Sequence, residues 1–121
     1  MRVVITGHNG QLGRQLLTAF AAHTVLPLDL PCDDITQPGV VTCISDFQPD
    51  LVIHAAAYTD VDGCEADPER AFRVNAIGTQ NVALGAQCAG AALLHISTNE
   101  VFDGTRRELY REWDTVNPLS V

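Results

Sequence analysis

Lysine is missing from this chain. All seven basic residues are arginines, they face 15 acidic ones, and the formal net charge is −8. That balance argues against nucleic acid and against anionic membranes as partners, because both select basic side chains. It leaves room for an anionic small ligand, since backbone amides can hold phosphate. Long hydrophobic runs are missing too. The opening "MRVVITG" stops at a glycine, too short for a signal peptide or a membrane span. Cysteine is sparse: Cys32, Cys43, Cys64 and Cys88 form no CxxC pair and no metal-ligand spacing. The expectation is a cytoplasmic protein with reduced thiols and no metal, with Cys43 and Cys88 packing as small apolar residues.

What is present reads as one globular domain. The 46% hydrophobic and 18% charged content suits a packed core, and 121 residues are enough to form one. Short apolar runs alternate with helical patterns. "RVVIT" (2–6), "TVLPL" (24–28), "DLVIHAA" (50–56) and "AALLHIS" (91–97) read as strands, Pro27 being unusual in the second. Leu12, Leu16, Leu17 and Phe20 recur at helical spacing over 11–22. Residues 39–47 read as a second helix, with Pro38 in its first turn. A long helix is predicted from Pro68 to Ala89, with Asp67 as N-cap and Gly90 as its stop. After Gly104 the chain is polar without a clear period. This βαβαβαβ order predicts an α/β fold: a Rossmann-type, doubly wound parallel sheet of about four strands, apolar and buried, with helices on both faces.

The loop after the first strand, "TGHNGQLG", places Gly7, Gly10 and Gly13 between strand and helix. Gly7 permits a tight turn, Gly10 lets backbone approach a pyrophosphate, and Gly13 lets the helix pack on the sheet. A glycine triplet alone is a weak signal. Here it has the required context, and Asp29 follows Gly10 by 19 residues, where a carboxylate meets the ribose hydroxyls of a dinucleotide. The carboxylate leans toward NADH, and no arginine stands in "LPCDDI" to receive a 2′-phosphate. The cofactor is thus read as NADPH or NADH.

Ligands of such sheets bind outside the carboxyl ends of the strands. Two polar clusters fall there. In "HAAAYTDVD", Ala55, Ala56 and Ala57 would let backbone lie against a flat ligand, or simply pack in the core. In "HISTNEVFDG", Thr98 could donate a hydrogen bond to a carbonyl oxygen as charge builds there, although the Ser/Thr/Asn cluster also reads as an ordinary turn. Asn75 shares a helix face with Ala71, Val74, Gly78 and Val82. Its amide is expected to point inward and brace backbone near the active edge, or to be a satisfied core amide.

The motifs "TGHNGQLGRQL", "DIT", "PDLVIHAAAYTDVDGCEADPERAFRVNAIGTQNVA", "HISTNEVFDG" and "NPLSV" run in order over essentially the whole chain. In them the chain resembles the extended short-chain dehydrogenase/reductase superfamily, and within it the dTDP-4-dehydrorhamnose reductase family. The resemblance implies reduction of the 4-keto group of dTDP-4-dehydro-6-deoxy-L-mannose by NADPH or NADH, giving dTDP-L-rhamnose. It implies that Gly10, Gln11 and Leu12 wrap the pyrophosphate, Asp29 meets the ribose, Asp34 and Ile35 meet the adenine, and Ala57, Tyr58 and Thr59 line the nicotinamide side. Thr98 would be the hydroxyl member of a Thr/Tyr/Lys catalytic set, and Asn99 would touch the sugar. The implied partner is a dTDP-linked keto-deoxy sugar; a homodimeric parent stays open.

The chain departs from the family pattern twice. "STNEVF" stands where the family reads STDYVF, so Asn99 loses a charge and Glu100 replaces an aromatic. Nucleotide-sugar dehydratases carry an Asp-Glu acid–base pair there, but an amide cannot act as the acid. The family's Tyr-x-x-x-Lys pair is also not found, since neither Tyr58 nor Tyr110 has Lys four residues on. The expectation is therefore a partial NAD(P)-binding domain over 1–121, inactive alone, the later strands and substrate domain lying in a longer parent. Another epimerase or dehydratase of the superfamily, or a non-catalytic dinucleotide-binding regulatory subunit, stays open.

Overall fold

β-Branched runs bounded by glycine and polar turns place four parallel strands in one sheet, ordered β2-β1-β3-β4. They are β1 (Arg2–Thr6), β2 (Thr24–Leu28), β3 (Leu51–His54) and β4 (Ala92–His95). The computed structural model describes residues 1–120; the last residue of "NPLSV", Val121, lies outside the described residues. Register is continuous across the sheet: Thr6 lies opposite both Leu28 and His54, and His54 lies opposite His95. Pro27 is accommodated because β2 is an edge strand.

Helix α1 (Gln11–Ala19) covers one face, where Val3, Ile5 and Ile53 pack with Leu16, Leu17 and Phe20. Helix α2 (Gly39–Phe47) and the later helices cover the other, where Val4, Val52, Ile35, Ile44, Val82 and Ala86 form the larger core. Each fully buried aliphatic side chain here contributes about 1.5–3 kcal/mol. The chain's alternation about β1 thus feeds both faces, as a doubly wound sheet requires.

The long predicted helix is present but is not uniform. It runs as α4 (Pro68–Phe72), a π-helical stretch (Arg73–Gly78) and α5 (Thr79–Ala89). Asp67 caps it by accepting the Arg70 amide at 3.0 Å, and Gly90 ends it at φ 68°. A short helix not foreseen, α3 (Val61–Ala66), starts at Asp60, whose carboxylate accepts the Gly63 amide at 3.1 Å. Helix α1 ends at Ala19, short of the expected residue 22, and β3 and β4 are trimmed at both ends.

Two packing expectations are corrected. Strand β4 is exposed along its length, with Leu93 and Leu94 39% and 47% accessible, because no described element covers it or pairs with its outer edge. Cys43 and Cys88 are exposed, on outward positions of their helices, and Cys64 is the buried thiol. All four cysteines are free.

Candidate functional site: a dinucleotide cleft and a polar shelf

The sheet order changes direction at β1, so the loops after β1 and β3 diverge and leave a crevice at the carboxyl edge. A cleft of about 340 Å³ lies there, lined by Gly7, Asn9, Gly10, Leu28, Asp29, Leu30, Asp33, Asp34, Ile35, Ala55, Ala56, Ala57 and Val74. Its floor is the glycine loop. Gly7 adopts φ +72°, and a Cβ there would lie 2.7 Å from the Ala56 nitrogen. A Cβ at Gly13 would overlap the Gly7 carbonyl oxygen and stand 2.6 Å from His8 Cα. The loop can therefore close only on glycine at both positions. Gly10 is different: its backbone is in the ordinary extended region, and its smallness matters toward the cleft.

The start of α1 is built to receive an anion. Its first i→i−4 bond runs from the Arg14 amide to the Gly10 carbonyl at 3.1 Å, so the amides of Gln11, Leu12 and Gly13 precede the helical ladder. No side chain caps this terminus, and no acidic residue stands in its first turn. Uncapped amides and the positive helix end suit a pyrophosphate. The residues present fit a dinucleotide on this ground.

Asp29, at the end of β2, lines the cleft and also braces it. One carboxylate oxygen accepts the Asn9 amide at 2.8 Å and the other accepts the Leu30 amide at 2.8 Å. Asp34 forms a turn by accepting the Thr36 amide at 2.9 Å, and that bond holds its carboxyl below the usual range. Ile35 is buried against Gly78, and its carbonyl accepts from Asn81 Nδ2 at 2.9 Å.

The structure separates the other predicted residues. Gln11, Leu12, Gly13, Tyr58, Thr59 and Asn75 are not on the cleft lining. Gln11 and Leu12 are exposed at the helix start, offering amides rather than side chains. Tyr58 turns away, under the Arg70 guanidinium at 4.4 Å and against Gly63. Thr59 is exposed. Asn75 is exposed instead of core-facing, which corrects the inward expectation. Its amide is spent on the loop: Oδ1 accepts the Tyr58 amide at 2.8 Å, and Nδ2 donates to the Tyr58 carbonyl at 2.9 Å. The bracing role expected of Asn75 is therefore present, on an open loop.

Thr98 stands apart from the cleft, exposed beyond β4. Its Oγ1 accepts the Glu100 amide at 3.1 Å, starting a 3₁₀ turn over Asn99–Val101. Among the described residues no hydrogen bond uses its hydroxyl proton. Asn99 donates from Nδ2 to Glu100 Oε1 at 2.9 Å, so the two residues that depart from the family pattern pair with each other. Asn99 and Glu100 then border a second cavity of about 500 Å³ with Phe102, Asp103, Gly104, Tyr110, Leu119 and Ser120.

Sequence reasoning missed the centre of that second region. Asp103 accepts from Tyr110 Oη at 2.7 Å, Asn117 Nδ2 at 3.0 Å, and both the amide and hydroxyl of Thr105 at 3.0 and 2.9 Å. These donors, Asn117 foremost, hold its carboxyl well below the usual carboxylate range. It also missed the buried pair Thr6 and His54, whose signal was a polar residue closing each of two adjacent apolar strands. Among the described residues no His/Cys/Asp/Glu group could hold a metal, and no helix is long and apolar enough to cross a membrane.

The parallel sheet, glycine loop and uncapped helix start define an α/β module of the Rossmann type. A family profile described as "RmlD substrate binding domain" matches residues 1–121. The dTDP-4-dehydrorhamnose reductase of Aggregatibacter actinomycetemcomitans is 44% identical over 124 residues, covering 99% of this chain and 42% of that relative. The crystal structure of the same-named reductase from Bacillus anthracis, in complex with NADP, superimposes with a TM-score of 0.93 at 42% identity, covering 98% of this chain and 44% of that one. The counterpart from Clostridium acetobutylicum gives 0.92 at 41% identity, covering 99% and 44%. The chain belongs to the RmlD substrate binding domain family. It spans less than half the length of the relatives it matches.

Proposed function

We propose that this chain supplies the dinucleotide-binding part of an NAD(P)H-dependent dTDP-4-dehydrorhamnose reductase. The single observation that carries the reading is the cleft at the β1/β3 divergence, with its glycine floor, uncapped α1 terminus and Asp29 rim. Relatives of that name match along nearly the whole chain, and one of them is complexed with NADP. The substrate is a dTDP-linked 4-keto-6-deoxy sugar, reduced to dTDP-L-rhamnose, and the compartment is the cytoplasm.

Amides of Gln11, Leu12 and Gly13 would hold the pyrophosphate, Asp29 the ribose, and Asp34 and Ile35 the adenine side. Ala55–Ala57 would leave room for the nicotinamide, with Tyr58 and Thr59 behind them. The cofactor, when bound, supplies the hydride for C4. Thr98 contributes a hydroxyl proton aimed at the developing alkoxide, and Asn99 a sugar contact. The parent is proposed to carry the family's Tyr-x-x-x-Lys pair beyond Val121.

The test is Thr98→Val in the full-length parent. The expected result is a kcat lower by about 10²–10³-fold with NADPH affinity retained, since the hydroxyl serves the transition state. An unchanged kcat would contradict the assignment of Thr98. No keto-sugar reduction by the unsubstituted parent would contradict the enzyme reading and favour a regulatory dinucleotide-binding subunit.

A further inference from the structure

Among the described residues Thr6 and His54, 0% and 1% accessible, are the buried polar residues of the core, and no buried side-chain polar atom lacks a partner. Their bonds have one polarity. Thr79 Oγ1 donates to the Asn75 carbonyl at 2.8 Å, so toward His54 Nε2, 2.9 Å away, it can only accept. Nε2 therefore carries the ring proton. Nδ1 is left as an acceptor, and Thr6 Oγ1 donates to it at 2.6 Å. Thr6 Oγ1 in turn accepts the Ala56 amide at 3.3 Å. The chain runs from the Ala56 amide through Thr6, His54 and Thr79 to the carbonyl of Asn75. The side chain of Asn75 then returns to the backbone of Tyr58.

Ala56 and Tyr58 flank Ala57, and Ala55–Ala57 form one wall of the cleft. The π-helical stretch at Arg73–Gly78 sets Asn75 and Thr79 where this circuit needs them; such insertions shift the helical register locally. His95 stacks on the outer side of the His54 ring at 5.2 Å between centroids.

We propose that His54 is a positioning residue for the dinucleotide site: as the Nε2–H tautomer it locks the Ala55–Tyr58 wall to β1 and to the π-helical stretch. This rests on the dinucleotide reading above. It assigns work to Thr6 and Thr79, neither of which reaches the cleft.

Two measurements on the 121-residue chain test it. The first is ring ¹⁵N NMR of His54 at neutral pH. The expected spectrum shows a protonated Nε2 and an unprotonated Nδ1, both moving when NADPH is added. A protonated Nδ1, or resonances indifferent to bound NADPH, overturns the proposal. The second is NADPH titration of Thr79→Val, Thr79→Ser and Thr6→Val. Loss of one link is expected to weaken binding about five- to tenfold, and serine at position 79 to restore it to within about twofold. Equal affinities in a chain that binds NADPH overturn the proposal and leave the dinucleotide reading intact. No NADPH binding by the unsubstituted chain overturns both.

Discussion

The dinucleotide cleft and the polar shelf around Asp103 are built from different materials. The cleft rests on backbone: glycines that tolerate no Cβ, strand ends in register, and apolar residues packed on both faces of the sheet. The shelf rests on side chains: one carboxylate gathering four donors, the Phe102 and Tyr110 rings stacked at 4.3 Å, and an Arg106–Asp114 ion pair at 2.8 Å, on a largely exposed segment without regular structure. Backbone-built sites are rigid and sensitive to single atoms of added volume. Side-chain-built sites loosen locally when one partner is removed, and leave the rest of the fold alone.

The largest effect of a single substitution, on stability and binding together, is expected from Gly13→Ala. The added methyl would meet Gly7 and His8 backbone, which cannot move as a flexible side chain could. Denaturant unfolding should show a loss of about 1–3 kcal/mol, accompanied by loss of NADPH binding. A variant as stable as the parent chain would show that the loop is softer than its geometry implies.

Acid should act next, through His54. Burial, and then His95, pull its pKa down to about 4 from 6.5. Between these values the unfolded chain binds more protons than the folded one, so stability falls as pH drops from 6.5 toward 4, by about 2–3 kcal/mol. The carboxyls of Asp34, Asp103 and Asp114 are also lowered, from an ordinary value of 3.8, by the hydrogen bonds they accept, so they act in a more acid window. Their contribution is present above that value and is lost only as pH falls below it. Unfolding free energies across pH 4–7 should therefore slope in the histidine window, and a flat profile there would count against a neutral, buried His54.

The smallest effect is expected from Asp103→Asn. Global stability should change by less than about 0.5 kcal/mol, as for surface substitutions. Hydrogen exchange at the Thr105 backbone amide and the Asn117 side-chain amide should quicken, because the acceptor of four bonds is weakened. Exchange at Gly7 and Ala56 should not change. Coupled quickening in both regions would erase the contrast between them.

The same contrast explains what could be read in advance. Strands β1 and β2 and helix α2 match their predicted bounds to the residue, because apolar periodicity and glycine punctuation are local signals. The cleft was legible in Gly7, Gly10, Asp29, Asp34, Ile35 and Ala57, which share it. The π-helical stretch was not, since Asn75 and Thr79 sit in an ordinary helical pattern and the extra residue per turn leaves no periodic mark. The circuit through His54 depends on pairing residues 48 and 25 positions apart. Asp103 and Asn117 meet across 14 residues of aperiodic loop.

The most direct measurement is amide chemical-shift mapping of the ¹⁵N-labelled chain during NADPH titration. The expected result is perturbation at Gly7, Gly10–Gly13, Asp29–Ile35 and Ala55–Tyr58, with Asp103–Asn117 silent. Perturbation confined to Asp103–Asn117, or none at saturating NADPH, would contradict a dinucleotide site at the β1/β3 divergence.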